Sequence, residues 1–491
     1  MNLSAKIAQN TLVQIVSKVI ATILGLFTLA LMTRYLGKTG FGEYTTIITF
    51  LSFFAIIADL GLTLVTVQMI SDPAADEKKV LNNLFTLRLV LALIFLGVGP
   101  LSVFLFPYNA TIKIGVMFAA ASFVFIALNQ VLVGLFQKKL TMGKVAIAEV
   151  AGRVVLLGGV GLAIYTNSGL MAILWATVIS SLINFLLQFI FAQKFVTIRL
   201  AKDWDIWKTA LKKSWPLALT IAFNLIYLKT DTLILSLIKT QEEVGLYGST
   251  YKIIDVLVTL PFMFAGVILP LLTANWIQKN YDYFKAIFQK AYDFMVILAL
   301  PIIIGTQFLA KDIMTLVAGP EFADAGQILR VLIIAASLIF ISCLFSHIII
   351  AIDRQRKIIG AYVFTSLTAV LGYLIFIPKY SYFGAAWMTI YSEAAILLFA
   401  IYYVYKYTKM FPKQKVAGKA LLSSLLMGGI LYLIPKTFYQ TIAGLTITTL
   451  IAIITYFLLL FIFKGLTKDD FKMFLPRRST SPLVPPLENI N

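Results

Sequence analysis

The chain has little of what soluble enzymes work with. It carries one cysteine and one histidine in 491 residues. A single cysteine excludes an intramolecular disulfide. A single histidine leaves nothing for a His-based metal cluster or a His–Cys pair, so neither a metal nor a cofactor is expected. Charged residues make up only 13%, about half the ~25% of a soluble domain. Long polar loops are missing too. The longest run over residues 193–213 and about 310–327, and neither can fold as a domain. Gly37-Lys38-Thr39 has the look of a P-loop end. That motif needs a glycine six residues before its lysine, where this chain has Met32, so no nucleotide site is expected.

What is present in excess is apolar sequence. The hydrophobic fraction is 60% and the mean hydropathy is +0.92. A spanning helix needs ~20 mostly apolar residues. About fourteen such segments follow one another, at 11–33, 43–70, 81–106, 111–136, 147–166, 170–192, 214–237, 247–276, 288–309, 328–352, 358–377, 384–405, 420–434 and 441–463. Lipid offers the backbone no hydrogen-bond partner, so spans are helices or closed barrels. Barrel strands alternate apolar and polar residues, whereas 450–463 is apolar all round. The fold class is therefore an all-α, multi-pass membrane protein. The first run is longer than a signal-peptide core and lacks a small-residue cleavage pattern, so it reads as the first span.

The net charge of +19 suggests nucleic acid until its placement is considered. Of 41 Lys and Arg residues, 27 lie in the segments on the side of the two termini, 6 on the other side and 8 within spans. Cytoplasmic loops carry such an excess, which places both termini in the cytoplasm. No nucleic-acid partner is expected. The tail 464–491 reads as disordered, solvated chain.

A weak internal repeat is visible. Gly42-Glu43-Tyr44 opens the second span and Gly245-Leu246-Tyr247 the eighth. Gly169-Leu170-Met171-Ala172 and Gly384-Ala385-Ala386-Trp387 stand near the sixth and twelfth. Similar offsets predict a duplicated six-helix unit. Six is even, so the copies insert the same way round, as a parallel repeat. The expected units are 1–200, 201–410, two added helices in 411–463 and the tail.

Function must then reside in ionisable residues inside the spans, each costing ~2.5–3.5 kcal/mol at the bilayer centre unless it faces a cavity or a partner. Helix spacing predicts local pairs Glu149/Arg153, Lys252/Asp255 and Lys290/Asp293. Lys113, Lys290 and Arg330 sit near span ends and can snorkel. Lys18, Asp59, Arg88, Lys229, Asp231 and Glu393 have no such neighbour. Lys18, Arg88, Arg153, Lys229 and Lys252 are the candidate substrate-binding cations, suited to a phosphate-bearing substrate. Asp59, Asp231 and Glu393 are the candidate ion-coupling carboxylates for H⁺ or Na⁺. Asp59 pairing with Arg88 would instead make a strut between spans 2 and 3. Pro261 and Pro301 predict kinks. His347 reads as a packed residue, and the tyrosines of 401–407 as an interfacial belt.

The run Leu31-Met32-Thr33-Arg34-Tyr35-Leu36-Gly37-Lys38-Thr39-Gly40-Phe41-Gly42-Glu43-Tyr44 and Ala58-Asp59-Leu60-Gly61-Leu62 carry a resemblance. So do Lys229-Thr230-Asp231-Thr232, Val244-Gly245-Leu246-Tyr247, Phe322-Ala323-Asp324-Ala325-Gly326 and Phe383-Gly384-Ala385-Ala386. The chain resembles the polysaccharide branch of the multidrug/oligosaccharidyl-lipid/polysaccharide superfamily, the Wzx-type O-antigen flippases. The resemblance implies two lobes, alternating access driven by an ion gradient, and flipping of polyprenyl-pyrophosphate oligosaccharide to the outer leaflet of the cell (inner or plasma) membrane for lipopolysaccharide or other surface glycans. Implied partners are the lipid-linked oligosaccharide, membrane lipids and the glycosyltransferases and polymerase of the same biosynthesis. Alternatives are a peptidoglycan-precursor flippase or multidrug exporter of that superfamily and, more remotely, a membrane glycosyltransferase or polymerase. The expected protein is a transporter and not an enzyme.

Overall fold

A computed structural model describes residues 3–59, 61–72 and 75–466. The tail from 467 on, expected to be disordered, lies outside the described residues. The described chain forms 13 α-helices joined by short connections and 3₁₀ turns. They are α1 (Leu3–Asp59), α2 (Leu62–Ile70), α3 (Glu77–Leu101), α4 (Ala110–Lys138), α5 (Met142–Tyr165), α6 (Gly169–Gln193) and α7 (Trp204–Ile238). The rest are α8 (Gln241–Ile277), α9 (Tyr281–Ala318), α10 (Ala325–Ala351), α11 (Ile359–Thr408), α12 (Lys415–Leu433) and α13 (Ile442–Ile462). Eleven stretches of these helices are long and apolar enough to cross a membrane. The protein is a multi-pass, all-helical membrane protein.

Two helices are too long for one crossing. At 1.5 Å per residue a helix the length of α1 would reach ~85 Å, against ~30 Å of hydrocarbon. Each is broken where the chain turns back: α1 at Gly37 (φ 63°) and α11 at Ser381 (φ 52°). The expected connections also shorten. Helix α9 continues to Ala318 through half of the expected loop 310–327. Helix α7 starts at Trp204, capped by the Asp203 carboxylate, which accepts from the Asp205 and Ile206 amides. The extended segment before it is held against α3. The amides of Arg199, Ala201 and Asp203 donate to Asn82 Oδ1 (3.1 Å), Thr86 Oγ1 (2.9 Å) and Asn83 Oδ1 (2.6 Å). Pro261 and Pro301 lie inside α8 and α9, which stay helical on both sides.

Helices α1, α3, α4, α5 and α6 pack among themselves, as do α7, α8, α10 and α11, while α12 and α13 lie against α9. α1 and α8 join these groups, packing along each other. At the end of the bundle away from the chain termini their backbones touch. A Cβ on Gly42 would overlap the Gln241 carbonyl, and one on Gly245 would overlap the Lys38 carbonyl. The contact is reciprocal, since 38 relates to 241 as 42 does to 245. It is locked by Lys38 Nζ on Glu242 Oε1 (3.0 Å) and Thr46 Oγ1 donating to Gln241 (2.7 Å). Arg34 adds a clasp to α9, donating to the carbonyls of Leu316 (2.5 Å) and Val317 (3.0 Å).

Candidate functional site

Toward the other end, α1, α5 and α8 line a cavity of ≈230 Å³. Each helix contributes one face at 3.6-residue spacing: Lys18 and Thr22 from α1, Glu149 and Arg153 from α5, Lys252 and Asp255 from α8. Gly25 leaves room for Arg153, whose Nη1 would be 3.9 Å from a Cβ there. Three cations against two carboxylates leave the wall basic. The local pairing expected from spacing is replaced by pairing between helices. Glu149 reaches Lys18 (3.7 Å) and Asp255 reaches Lys229 of α7 (3.9 Å). Among the described residues their i+3 and i+4 neighbours, Lys252 and Arg153, have no acidic partner within 4.0 Å.

Asp255 also lines a second cavity of ≈250 Å³, between α7, α8, α10 and α11. Lys229 sits there with its Nζ 5.1 Å from the centre of the Tyr251 ring. Glu393 of α11 is 3% exposed, and among the described residues its Oε1 has no hydrogen-bond partner. Behind this cavity Asp231 is wholly buried. Its carboxylate accepts from Tyr247 Oη (2.7 Å), the Thr232 amide (2.5 Å) and, at 3.5 Å, Thr389 Oγ1. A buried carboxylate requires such partners. The sequence reading missed Thr389 and Tyr251, which carry no charge and stand among many Thr and Tyr. It set Asp255 aside as the neutralised partner of Lys252.

Arg88 stands apart. It is 1% exposed in the first helix group and lines neither cavity. Its Nη1 meets Asp59 Oδ1 at 2.6 Å and the Ala58 carbonyl at 3.1 Å, its Nε the Ala127 carbonyl at 3.1 Å, and its Nη2 the Gln130 side chain. Thr63 Oγ1 donates to the same Asp59 oxygen (2.6 Å). Lys18 therefore lines the first cavity, Lys229 the second and Arg88 neither, its fork being taken up by α1 and α4. His347 is packed as expected, its Nδ1 2.8 Å from the Cys343 carbonyl.

Comparison with known proteins places this geometry. The family profile described as "Polysaccharide biosynthesis protein" matches residues 7–276. The chain is 22% identical over 404 residues to the probable low-salt glycan biosynthesis flippase Agl15 of Haloferax volcanii, covering 81% of this chain and 84% of that protein. In solved structures it is similar to the lipid II flippase MurJ in an inward closed conformation, with TM-score 0.76, 18% identity, and 91% and 98% of the two chains covered. It is also similar to an inward-facing multidrug resistance MATE family transporter of the MOP superfamily, with TM-score 0.64, 16% identity, and 86% and 99% covered. Those likenesses are of fold.

Proposed function

The chain belongs to the polysaccharide biosynthesis protein family, and from that membership and its basic inter-helix cavity we propose that it flips a lipid-linked oligosaccharide across the cell membrane. The observation that carries the reading is the convergence of Lys18, Arg153 and Lys252 from three helices on one cavity. Cations at that depth are costly unless they meet an anion or water. A pyrophosphate supplies the anion, and Lys and Arg suit it in charge and geometry. The likeness to a probable glycan biosynthesis flippase supports the same substrate chemistry.

Fourteen crossings follow when α1 with α2 and α11 each count twice and α7 once. Both termini are then cytoplasmic, in keeping with the charge bias, and the Gly42/Gly245 contact seals the outer end. We take 1–200 and 201–410 as two lobes related by an axis through that reciprocal contact, with 411–463 added. Transport alternates this sealed state with one in which the outer contact parts. Binding must differ between the two states for substrate to shift their balance. Glu393, whose Oε1 has no hydrogen-bond partner among the described residues, and Asp231 behind the second cavity are the proposed groups for a coupling H⁺ or Na⁺. Lys229 and Asp255 tie that cavity to the substrate cavity. Asp59 and Arg88 act as a strut.

The test is flipping of a polyprenyl-pyrophosphate oligosaccharide by the full chain in vesicles. Lys18→Gln/Lys252→Gln removes two charged contacts, and a fall in rate of about tenfold or more is expected. Normal flipping by that variant overturns the role of the cavity. Sugar-chain elongation without flipping overturns the function.

A further inference from the structure

We propose that a second basic cavity, at the sealed end, binds a phosphate group carried by a membrane amphiphile. The cavity has a volume of ≈910 Å³ and lies between α9, α10, α12 and the 3₁₀ turn Lys436–Gln440. Four cations reach it from four separate elements: Arg34 from α1, Lys311 from α9, Arg330 from α10 and Lys436 from the turn. Asp312 is the one carboxylate among its lining residues.

Chance placement explains this poorly. Only 6 of the 41 Lys and Arg residues lie in the segments of that side, and three of those, Arg34, Lys311 and Lys436, meet here with Arg330. Among the described residues none of Lys311, Arg330 and Lys436 has an acidic partner within 4.0 Å. Like charges drawn into one concavity raise its potential and its attraction for anions. The position is built. Gln307 donates to the Arg330 carbonyl at 3.0 Å and ties α9 to α10, while Tyr439 Oη donates to the carbonyls of Ile434 (2.7 Å) and Leu431 (3.2 Å) and fixes the turn that carries Lys436.

Apolar side chains, among them Phe308 and Leu445, line the same cavity. Cations and apolar side chains lining one cavity fit a phosphate with a hydrocarbon chain better than a free anion. The cavity also adjoins the clasp from Arg34 to the Leu316 and Val317 carbonyls, so an occupant sits beside the seam that parts for release. Two sources share this chemistry, namely the pyrophosphate of lipid that has already crossed and the headgroup of a bulk anionic lipid. The outward direction of this end rests on the proposed function, but binding does not.

The test uses the full chain with Lys18→Gln/Lys252→Gln, which weakens the contribution of the central cavity. Binding of undecaprenyl pyrophosphate and of phosphatidylglycerol is measured in detergent. Adding Lys311→Gln/Lys436→Gln is expected to weaken one or both probes by about tenfold or more, and Lys311→Arg/Lys436→Arg to retain binding. Loss for the pyrophosphate alone identifies carried lipid as the source, and loss for phosphatidylglycerol alone identifies bulk lipid. Unchanged affinity for both overturns the site. Arg330→Gln gives an independent reading should the double lysine variant lose its thermal transition. Flipping reports on the proposed function, and binding reports on this site.

Discussion

Asp59→Asn would leave the Arg88 guanidinium buried with its one carboxylate gone, while three neutral acceptors remain. Breaking a buried pair costs ~3–5 kcal/mol, whereas replacing both partners with apolar side chains is often near neutral. The expected result is a lower thermal midpoint and less protein in the membrane, with recovery in Asp59→Leu/Arg88→Met. Normal protein level with abolished flipping would instead make Asp59 a working group of the transport cycle. A second residue-scale case lies outside the bilayer. The Lys79 ammonium 2.7 Å away, followed by the Ile206 amide, holds the Asp203 carboxyl below its usual range. A depressed folded value contributes stability above the unfolded value of ~3.9, and that contribution is lost as pH falls through the folded one. Asp203→Asn should lower the thermal midpoint at neutral pH and flatten its fall in acid. An unchanged acid profile would show that the pair and cap add nothing.

At the scale of elements, α1 and α8 come into backbone contact at Gly42 and Gly245. No side chain fits between them, because each Cβ would occupy the space of a backbone carbonyl of the other helix. Gly42→Ala and Gly245→Ala should therefore push this end apart while leaving each helix intact, since alanine favours helix by up to ~1 kcal/mol over glycine. The measurement is cross-linking between Lys38→Cys and Glu242→Cys on a Cys343→Ser background, positions joined by a 3.0 Å ion pair. Cross-linking should fall in either alanine variant. Undiminished cross-linking would mean that the helices shift along each other instead. The Gly-x-Tyr repeat pointed to these positions from sequence alone, although that motif says nothing about the two glycines facing each other. The clasp from Arg34 had no such signal, because it is made to backbone carbonyls.

For the whole molecule, the proposed orientation has a direct test. On the Cys343→Ser background, a cysteine placed at Lys202 should be reached by an impermeant thiol reagent only from the cytoplasmic side, and one at Lys239 only from outside. Labelling in the reverse pattern overturns the orientation and with it the outer location of the second basic cavity. Sequence alone determined that this is a many-helix membrane protein, although it counted fourteen spans where eleven helical stretches among the described residues are long and apolar enough to cross. Hydropathy and charge bias are properties of single segments, and each helix must satisfy its own backbone in lipid. It also supplied the residues of the cavity, since an ionisable side chain within a span demands a reason wherever it lies. Which of them meet was decided only in three dimensions. Glu149 turns to Lys18 and Asp255 to Lys229 rather than to their helical neighbours, and Arg88 is consumed by Asp59 and three acceptors. Pairing depends on how each helix is rotated and which helix packs beside it, and those are set by contacts between distant segments that no local spacing records.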